Sequence, residues 1–238
     1  MGLALEIPEF HKLIGIPDLP DGYVYEIYGE ETSGKTSVAL QFIAAAQHNP
    51  NAVCVFLDGE HSLSLAHLAT HHIDVSRVHL IQPVTLDHAM VVMNAAVRTH
   101  IARLVVIDGL NALPTVLELT ESLGSYSRRS ETAAARLITK SFQGIIGPIW
   151  DQQTTIVVLN QVRHKPNFDG TASEFVPGGR LLPILSPLRI RVGSALVRYS
   201  NDGAAMDFST ELSVTRNRFR PTQLGFMRTV FPFVAAQN

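Results

Sequence analysis

The octet Gly29-Glu30-Glu31-Thr32-Ser33-Gly34-Lys35-Thr36 follows an apolar alternating run, Tyr23 to Tyr28, and precedes an amphipathic run, Ser37 to Gln47. Strand, glycine-bounded loop and helix in that order, with G-x-x-x-x-G-K-[ST] at the junction, form a cradle for phosphate. Gly29 and Gly34 are expected to take backbone angles closed to other residues, so that the amides from Gly29 through Ser37 face a ligand. With the positive end of the following helix they make an anion site. Lys35 supplies a compact charge to the β- and γ-phosphates, and Thr36 a hydroxyl ligand for Mg²⁺. The chemistry implied is that of a bound nucleoside triphosphate with Mg²⁺.

Three further strand ends carry polar residues, and ligands of open α/β sheets sit at the carboxyl ends of strands. Asp108 ends the run Leu104-Val105-Val106-Ile107 and fits a metal-holding carboxylate, directly or through water. Glu60, just past Ala52 to Leu57 and Asp58, is the candidate base that positions an attacking water. Gln161 ends a fifth run, beside Asn160; it is read either as an amide sensor of the γ-phosphate or as a strand-end cap.

Two groups of basic residues are candidates for phosphate contact. The stretch Arg163 to Arg180 holds Arg163, Lys165 and Arg180 with Phe168 and Phe175 between them. Basic groups neutralise phosphates and aromatic groups stack on bases, so this stretch is a candidate single-strand contact. Following directly on a nucleotide sensor, it would order with ATP and disorder after hydrolysis. Arg216 and Arg218, at i and i+2 of a strand, point the same way and would stabilise phosphate charge, across a subunit boundary as arginine fingers.

The elements that position these residues alternate strand and helix: strands at Ala52–Leu57, Val78–Ile81, Leu104–Ile107 and Thr155–Leu159, helices at Ser62–His71, Leu86–Arg98 and Glu131–Asp151, the last interrupted near Gly147-Pro148. A glycine- and serine-containing loop is expected over Leu117 to Ser130, and a long mobile loop over Arg163 to Arg180. Beyond Leu188 the pattern turns to short strands, Arg189–Val192, Ala195–Tyr199, Glu211–Thr215 and Gly225–Phe231. The fold class is α/β, a mostly parallel central sheet with flanking helices and an antiparallel C-terminal extension. Residues 1–20 form a short segment in which Gly2 to Ile7 is expected to be a brief strand, paired at home or with a neighbouring chain; residues 21–238 form the core.

At 238 residues the chain is within reach of one domain with a sizeable core. A formal charge of −2 gives no bulk attraction to nucleic acid, so any such contact must be local. The lone cysteine, Cys54, lies in an apolar run and is expected to be buried; one cysteine excludes an internal disulfide and fits a reducing compartment. No apolar run approaches membrane-spanning length, the N-terminus lacks a basic region followed by an apolar core, so no secretion signal is expected, and a cytoplasmic location is expected. The ten histidines show no metal spacing, and His71-His72 is expected at the surface.

Gly29 to Thr36, Leu57-Asp58-Gly59-Glu60-His61, Val105-Val106-Ile107-Asp108, Asn160-Gln161-Val162-Arg163 and Gly178-Gly179 together resemble, in order and spacing, the core of the bacterial RecA recombinases, with the phage UvsX-like and archaeal-eukaryotic proteins more distant. The resemblance covers about residues 8 to 230. It implies a RecA-like P-loop NTPase fold and a filament-forming, DNA-dependent ATPase that pairs single-stranded DNA with a homologous duplex in recombination and repair. Glu60 then corresponds to the catalytic glutamate, Gln161 to the allosteric switch, Glu31 to the acidic P-loop position and His67 to an aromatic residue over adenine. The segments from about Leu117 to Ser130 and from Arg163 to Arg180, including Gly178 and Gly179, correspond to two DNA-binding loops. Arg136 falls at a backbone-phosphate contact, and Arg216 and Arg218 replace paired lysines acting across the subunit boundary.

The departures from that family are Glu30 in place of a proline, His67 in place of a tyrosine-like stacker, prolines in the second loop, and no counterpart of the N-terminal helical segment or the C-terminal domain. Two other functions fit the same motifs: a RecA-like regulatory ATPase without strand exchange, and a ring-forming RecA-like helicase or KaiC-like ATPase.

Overall fold

Four strands buried almost throughout set the architecture, because a strand buried on both faces must be covered on both. A computed structural model describes residues 2–120, 128–166, 172–177, 181–200, 205–221 and 224–232. In it β1 (Val24–Gly29), β2 (Cys54–Asp58) and β4 (Leu104–Asp108) are buried along their whole length, and β5 (Thr155–Gln161) to its last residue but one. With β3 (Val78–Ile81), β8 (Leu188–Val192), β9 (Leu196–Tyr199), β10 (Ala205–Asn217) and β11 (Phe226–Pro232) they form one sheet, in the order β11-β10-β8-β1-β5-β4-β2-β3, with β9 also on β10. The strands from β8 to β3 are parallel; β10 returns antiparallel against β8 and carries β9 and β11 antiparallel to itself. The expected parallel sheet with an antiparallel extension is what the chain forms.

Alternate residues of the buried strands feed two cores. Tyr25, Ile27, Phe56, Val106 and Leu159 pack on the face of α2 (Lys35–Gln47). Val24, Leu57, Val105, Ile107 and Val158 face α4 (Leu86–Arg98), α6 (Arg128–Gln143) and α7 (Ile146–Gln152). Cys54 lies in the first core, where burial pushes its thiol up to about 12. Smaller helices are α1 (Phe10–Ile14), α3 (Leu65–Thr70), α5 (Val116–Thr120) and α8 (Leu181–Leu185). No helix among the described residues is long and apolar enough to cross a membrane.

Several expectations are corrected. The strand over Gly2–Ile7 is a single bridge, Leu3 to Leu19, and both leucines are buried in the chain's own first core. The long helix breaks at Gly144-Ile145, earlier than Gly147-Pro148; Pro148 lies in the first turn of α7, where an absent N–H removes no helical hydrogen bond. The loop from Leu117 to Ser130 contains α5 and the start of α6, while residues 121–127 lie outside the described residues. The stretch from Arg163 begins as a hairpin, β6 (Arg163–Pro166) against β7 (Ala172–Phe175), in place of an unstructured loop. His72 is exposed as expected, but His71 is buried: Gln41 of α2 meets its Nδ1 at 2.8 Å, Phe231 of β11 packs beside it, and burial pulls its pKa down to about 4.

Candidate nucleotide site and hairpin cleft

The carboxyl ends of β1, β2, β4 and β5 converge because the four strands are parallel and adjacent in the sheet, β2 meeting β5 through β4. The loop after β1 wraps the start of α2, whose capping residue is Gly34 at φ 97°; a side chain there would also strike the Phe208 ring at 2.6 Å. Gly29 is glycine for a different reason from the one expected. It remains in extended backbone, but a Cβ would collide with the Val192 carbonyl of β8. Thr32, a β-branched residue, is held at φ 58°, a left-handed conformation that such residues rarely adopt.

A cavity of about 370 Å³ opens above this loop, within the range of small-molecule sites. The loop and helix start line it with Glu31, Thr32, Ser33, Gly34, Lys35, Thr36 and Ser37. Glu60, His67 and Gln161 reach it from three other elements. Gly29 and Glu30 do not line it. The Glu30 carbonyl accepts from Lys35 Nζ at 2.6 Å, and its carboxylate turns away to His164. Ser33 Oγ is buried with no hydrogen-bond partner.

Asp108 lies buried beneath the cavity and accepts from Thr36 Oγ1 at 2.9 Å. Burial foremost, then the negative charge of Glu60, pushes its carboxyl up to about 7, with Thr36 opposing and Asp58 adding to the rise. Lys35 is pulled down from the usual ammonium range by burial, against the attraction of Asp108 and Glu60. A carboxylate so destabilised, beside a threonine hydroxyl, fits a divalent cation. Mg²⁺ commonly takes one or two protein oxygens and completes its shell with water and phosphate.

Glu60 is placed by two glycines and one structural carboxylate. Gly59 N–H donates to the Asp108 carbonyl at 2.9 Å, and Gly109, at φ 74°, lies so close that a Cβ would meet Glu60 Cγ at 2.5 Å. Asp58, fully buried, accepts from the amides of Ser62 and Leu63 at 3.1 and 3.2 Å and so bends the chain that presents Glu60. His67 in α3 follows the cap residue Ser64, and burial pulls its pKa down, which favours the neutral ring.

A buried polar chain fixes the β5 end. Asn111 Nδ2 donates to Asn160 Oδ1 at 2.7 Å, Asn160 Nδ2 to Glu26 Oε1 at 2.8 Å, and Arg189 Nε to Glu26 Oε2 at 2.5 Å. The Arg189 guanidinium lies over the Tyr28 ring, 4.8 Å from its centre. Glu26 and Arg189 were missed in the sequence because strand apolarity was the signal sought, and their pairing spans 163 residues.

A second cavity, of about 470 Å³, lies between the loop after β4, α6 and the β6–β7 hairpin. Arg163, Phe175 and Pro177 line it from the hairpin side, Asn111 and Glu118 from the other. Arg136 is exposed on α6, whose Ala134, Ala135 and Ile138 face the cavity; Lys165 is exposed on β6. Phe168, Gly178, Gly179 and Arg180 lie outside the described residues.

Arg216 and Arg218 do not join the nucleotide cavity of their own chain. β10 runs against β8, and Arg216 pairs in register with Arg189, level with Glu26 and roughly 10 Å below Gly29 along the strand. The Arg216 guanidinium donates to the Pro183 carbonyl, and burial, then the charge of Arg218, pulls its pKa down. Arg218 is exposed one residue past the strand, its amide bonded to the Pro187 carbonyl at 2.7 Å.

Comparison with known proteins agrees with this geometry. The model of the RecA N-terminal domain matches residues 7–227. The chain is 33% identical to Protein RecA of Mesoplasma florum over 209 residues, 87% of this chain and 61% of that protein. It is 32% identical to Protein RecA of Oceanobacillus iheyensis over 220 residues, 92% of this chain and 60% of that one, and 30% identical to its Helicobacter hepaticus counterpart over 87% and 59%. It thus spans about 60% of the length of these curated relatives. The family model matches nearly the whole sequence, and the chain belongs to the RecA family.

Proposed function

We propose that this chain binds ATP–Mg²⁺ and single-stranded DNA and acts as a DNA-dependent ATPase in homologous recombination or repair. The observation that carries the reading is the meeting of Lys35, Thr36, Glu60 and Gln161 around one cavity, with Asp108 bonded beneath it. Lys35 exchanges the Glu30 carbonyl for phosphate oxygens. Thr36 and Asp108 would hold Mg²⁺, which supplies charge neutralisation on the phosphates. Glu60 orients and deprotonates the water that attacks the γ-phosphate. Gln161 contacts the same phosphate and passes its presence to the hairpin that begins at Arg163. His67 offers a ring face to adenine. Arg216 and Arg218 close the site of a neighbouring copy, in a helical filament or a ring; their position outside their own cavity, with Arg216 level with Glu26 below it, favours action in trans.

The DNA surface proposed is the hairpin cleft. Arg163, Lys165 and, from α6, Arg136 neutralise phosphates, with Phe175 stacking on a base. Phe168, Gly178, Gly179 and Arg180, from the same stretch of sequence, are assigned to the same strand contact, and duplex DNA pairs against the strand held there. RecA-named relatives and the absence of a spanning helix among the described residues support cytoplasmic action.

The test is ATP hydrolysis with and without single-stranded DNA at constant salt. DNA should stimulate it, and Lys35→Ala should abolish nucleotide binding or turnover. Unchanged hydrolysis in that variant defeats the site assignment. Single-strand affinity indifferent to the bound nucleotide defeats the recombinase reading.

A further inference from the structure

The β6–β7 hairpin is fastened at both strands by one row of polar side chains. On β6, His164 Nε2 lies 2.7 Å from Glu30 Oε1, in the phosphate loop. Carboxylate oxygens only accept, so that nitrogen carries the proton. His164 stands opposite Glu174 in the hairpin register. Glu174 takes both arms of the Arg191 fork, at 3.1 and 2.9 Å, and Arg191 pairs in register with Tyr28, two residues before Glu30. The row Glu30–His164–Glu174–Arg191 therefore starts and ends at the same corner of β1. Its Glu174–Arg191 arm is bidentate, the more directional kind of ion pair. The Glu30–His164 arm is single and about half exposed, with side chains 41% and 52% accessible.

Glu30 is also the residue whose carbonyl accepts from Lys35 Nζ at 2.6 Å. Phosphate needs that ammonium, so filling the cavity withdraws the shorter of the two hydrogen bonds on the Glu30 carbonyl and leaves the one from Ser33 N–H at 3.4 Å. The weak arm of the row is thus attached to a loop residue that loses a partner when nucleotide enters.

We propose that His164 is a positioning residue: its bond to Glu30 latches the hairpin to the empty phosphate loop, and nucleotide binding releases it. This rests on the nucleotide-dependent hairpin of the proposed function and adds a route separate from Gln161, with the sign opposite to the ordering by ATP expected from the sequence: without DNA, nucleotide loosens the hairpin. Only an interaction that differs between two states can shift their balance, and the latch differs because Lys35 does. Glu174–Arg191 remains in both states and keeps the hairpin seated as a hinge.

Hydrogen exchange of the β6 and β7 amides tests this without DNA. In the native protein, adding magnesium with a non-hydrolysable ATP analogue should speed exchange about twofold to fivefold, the range of an exposed ion pair. In His164→Ala the amides should already exchange at the faster rate without nucleotide and change no further, while β4 stays protected. His164→Gln, which keeps a donor, should retain the native response. A His164→Ala hairpin that exchanges like the native one overturns the latch, as does a Gln variant that behaves like Ala. Single-strand affinity measured on the same samples separates the readings: nucleotide-indifferent affinity removes the DNA function and leaves the exchange result to decide the latch.

Discussion

Replacing Asp108 by Asn should make the ligand-free protein more stable, and the gain should depend on pH in a defined direction. Native Asp108 holds its proton up to about pH 7, whereas in the unfolded chain it releases it near 3.8. Between those values the native state binds more protons, so stability is lost as pH rises through the window. A shift of roughly three units at about 1.4 kcal/mol each sets a ceiling near 4 kcal/mol, reached above pH 7. Asn keeps an acceptor for Thr36 Oγ1 and removes the charge, at the cost of one buried amide. A net gain of ~2 kcal/mol corresponds to roughly 4–8 °C in a chain of this size. Thermal unfolding of both proteins from pH 4 to 8, without nucleotide, makes the comparison, since other titrating groups cancel in the difference. The variant should unfold several degrees higher at pH 7.5 and level with the native protein near pH 4. Adding Mg²⁺ and an ATP analogue should reverse the order. A variant less stable at pH 7.5, or a gain that does not shrink toward pH 4, would refute a destabilised carboxylate awaiting a cation.

Three other outcomes are expected. Gly109→Ala drives a methyl into Glu60 Cγ at a left-handed backbone position, so turnover should fall at least tenfold while nucleotide binding, read by analogue titration, stays within about twofold. Glu26→Ala leaves the Arg189 guanidinium and the Asn160 amide without their shared partner and should cost about 3–5 kcal/mol in denaturant unfolding. His71 is held well below its unfolded pKa, so the stability it contributes is full above pH 6.5 and lost as pH falls toward 4. The native protein should lose up to ~3 kcal/mol relative to His71→Leu over that interval, and parallel pH profiles would contradict the assignment.

The parts legible in the sequence were those fixed by neighbours along the chain. Lys35 and Thr36 sit at a strand-to-helix junction, and Glu60, Asp108 and Gln161 close apolar runs, so short-range pattern placed them at one edge. The hairpin was not legible because β6 and β7 are four residues each, Arg163 to Lys165 and Ala172 to Phe175 are exposed, and Pro166 ends β6, which leaves no period-two apolar signal. His71 was misplaced because its cover comes from α2 and β11, 30 and 160 positions away. Gly29 shows a third kind of miss: the residue type was expected for its backbone freedom, but Val192, brought alongside by β8, is what forbids a side chain. Arg189, Glu26 and Asn160 meet only because three strands distant in sequence lie side by side.

The antiparallel course of β10 gives the molecule a front and a back. Its cradle opens at one rim of the sheet, while Arg216 and Arg218 stand toward the other. Copies laid head to tail would make a directional object whose two extremities differ chemically: the leading copy offers an unclosed cradle, the trailing one a basic pair with nothing to grip. Fuel would then be burned at junctions between copies, and growth or loss at the two extremities would answer to nucleotide differently.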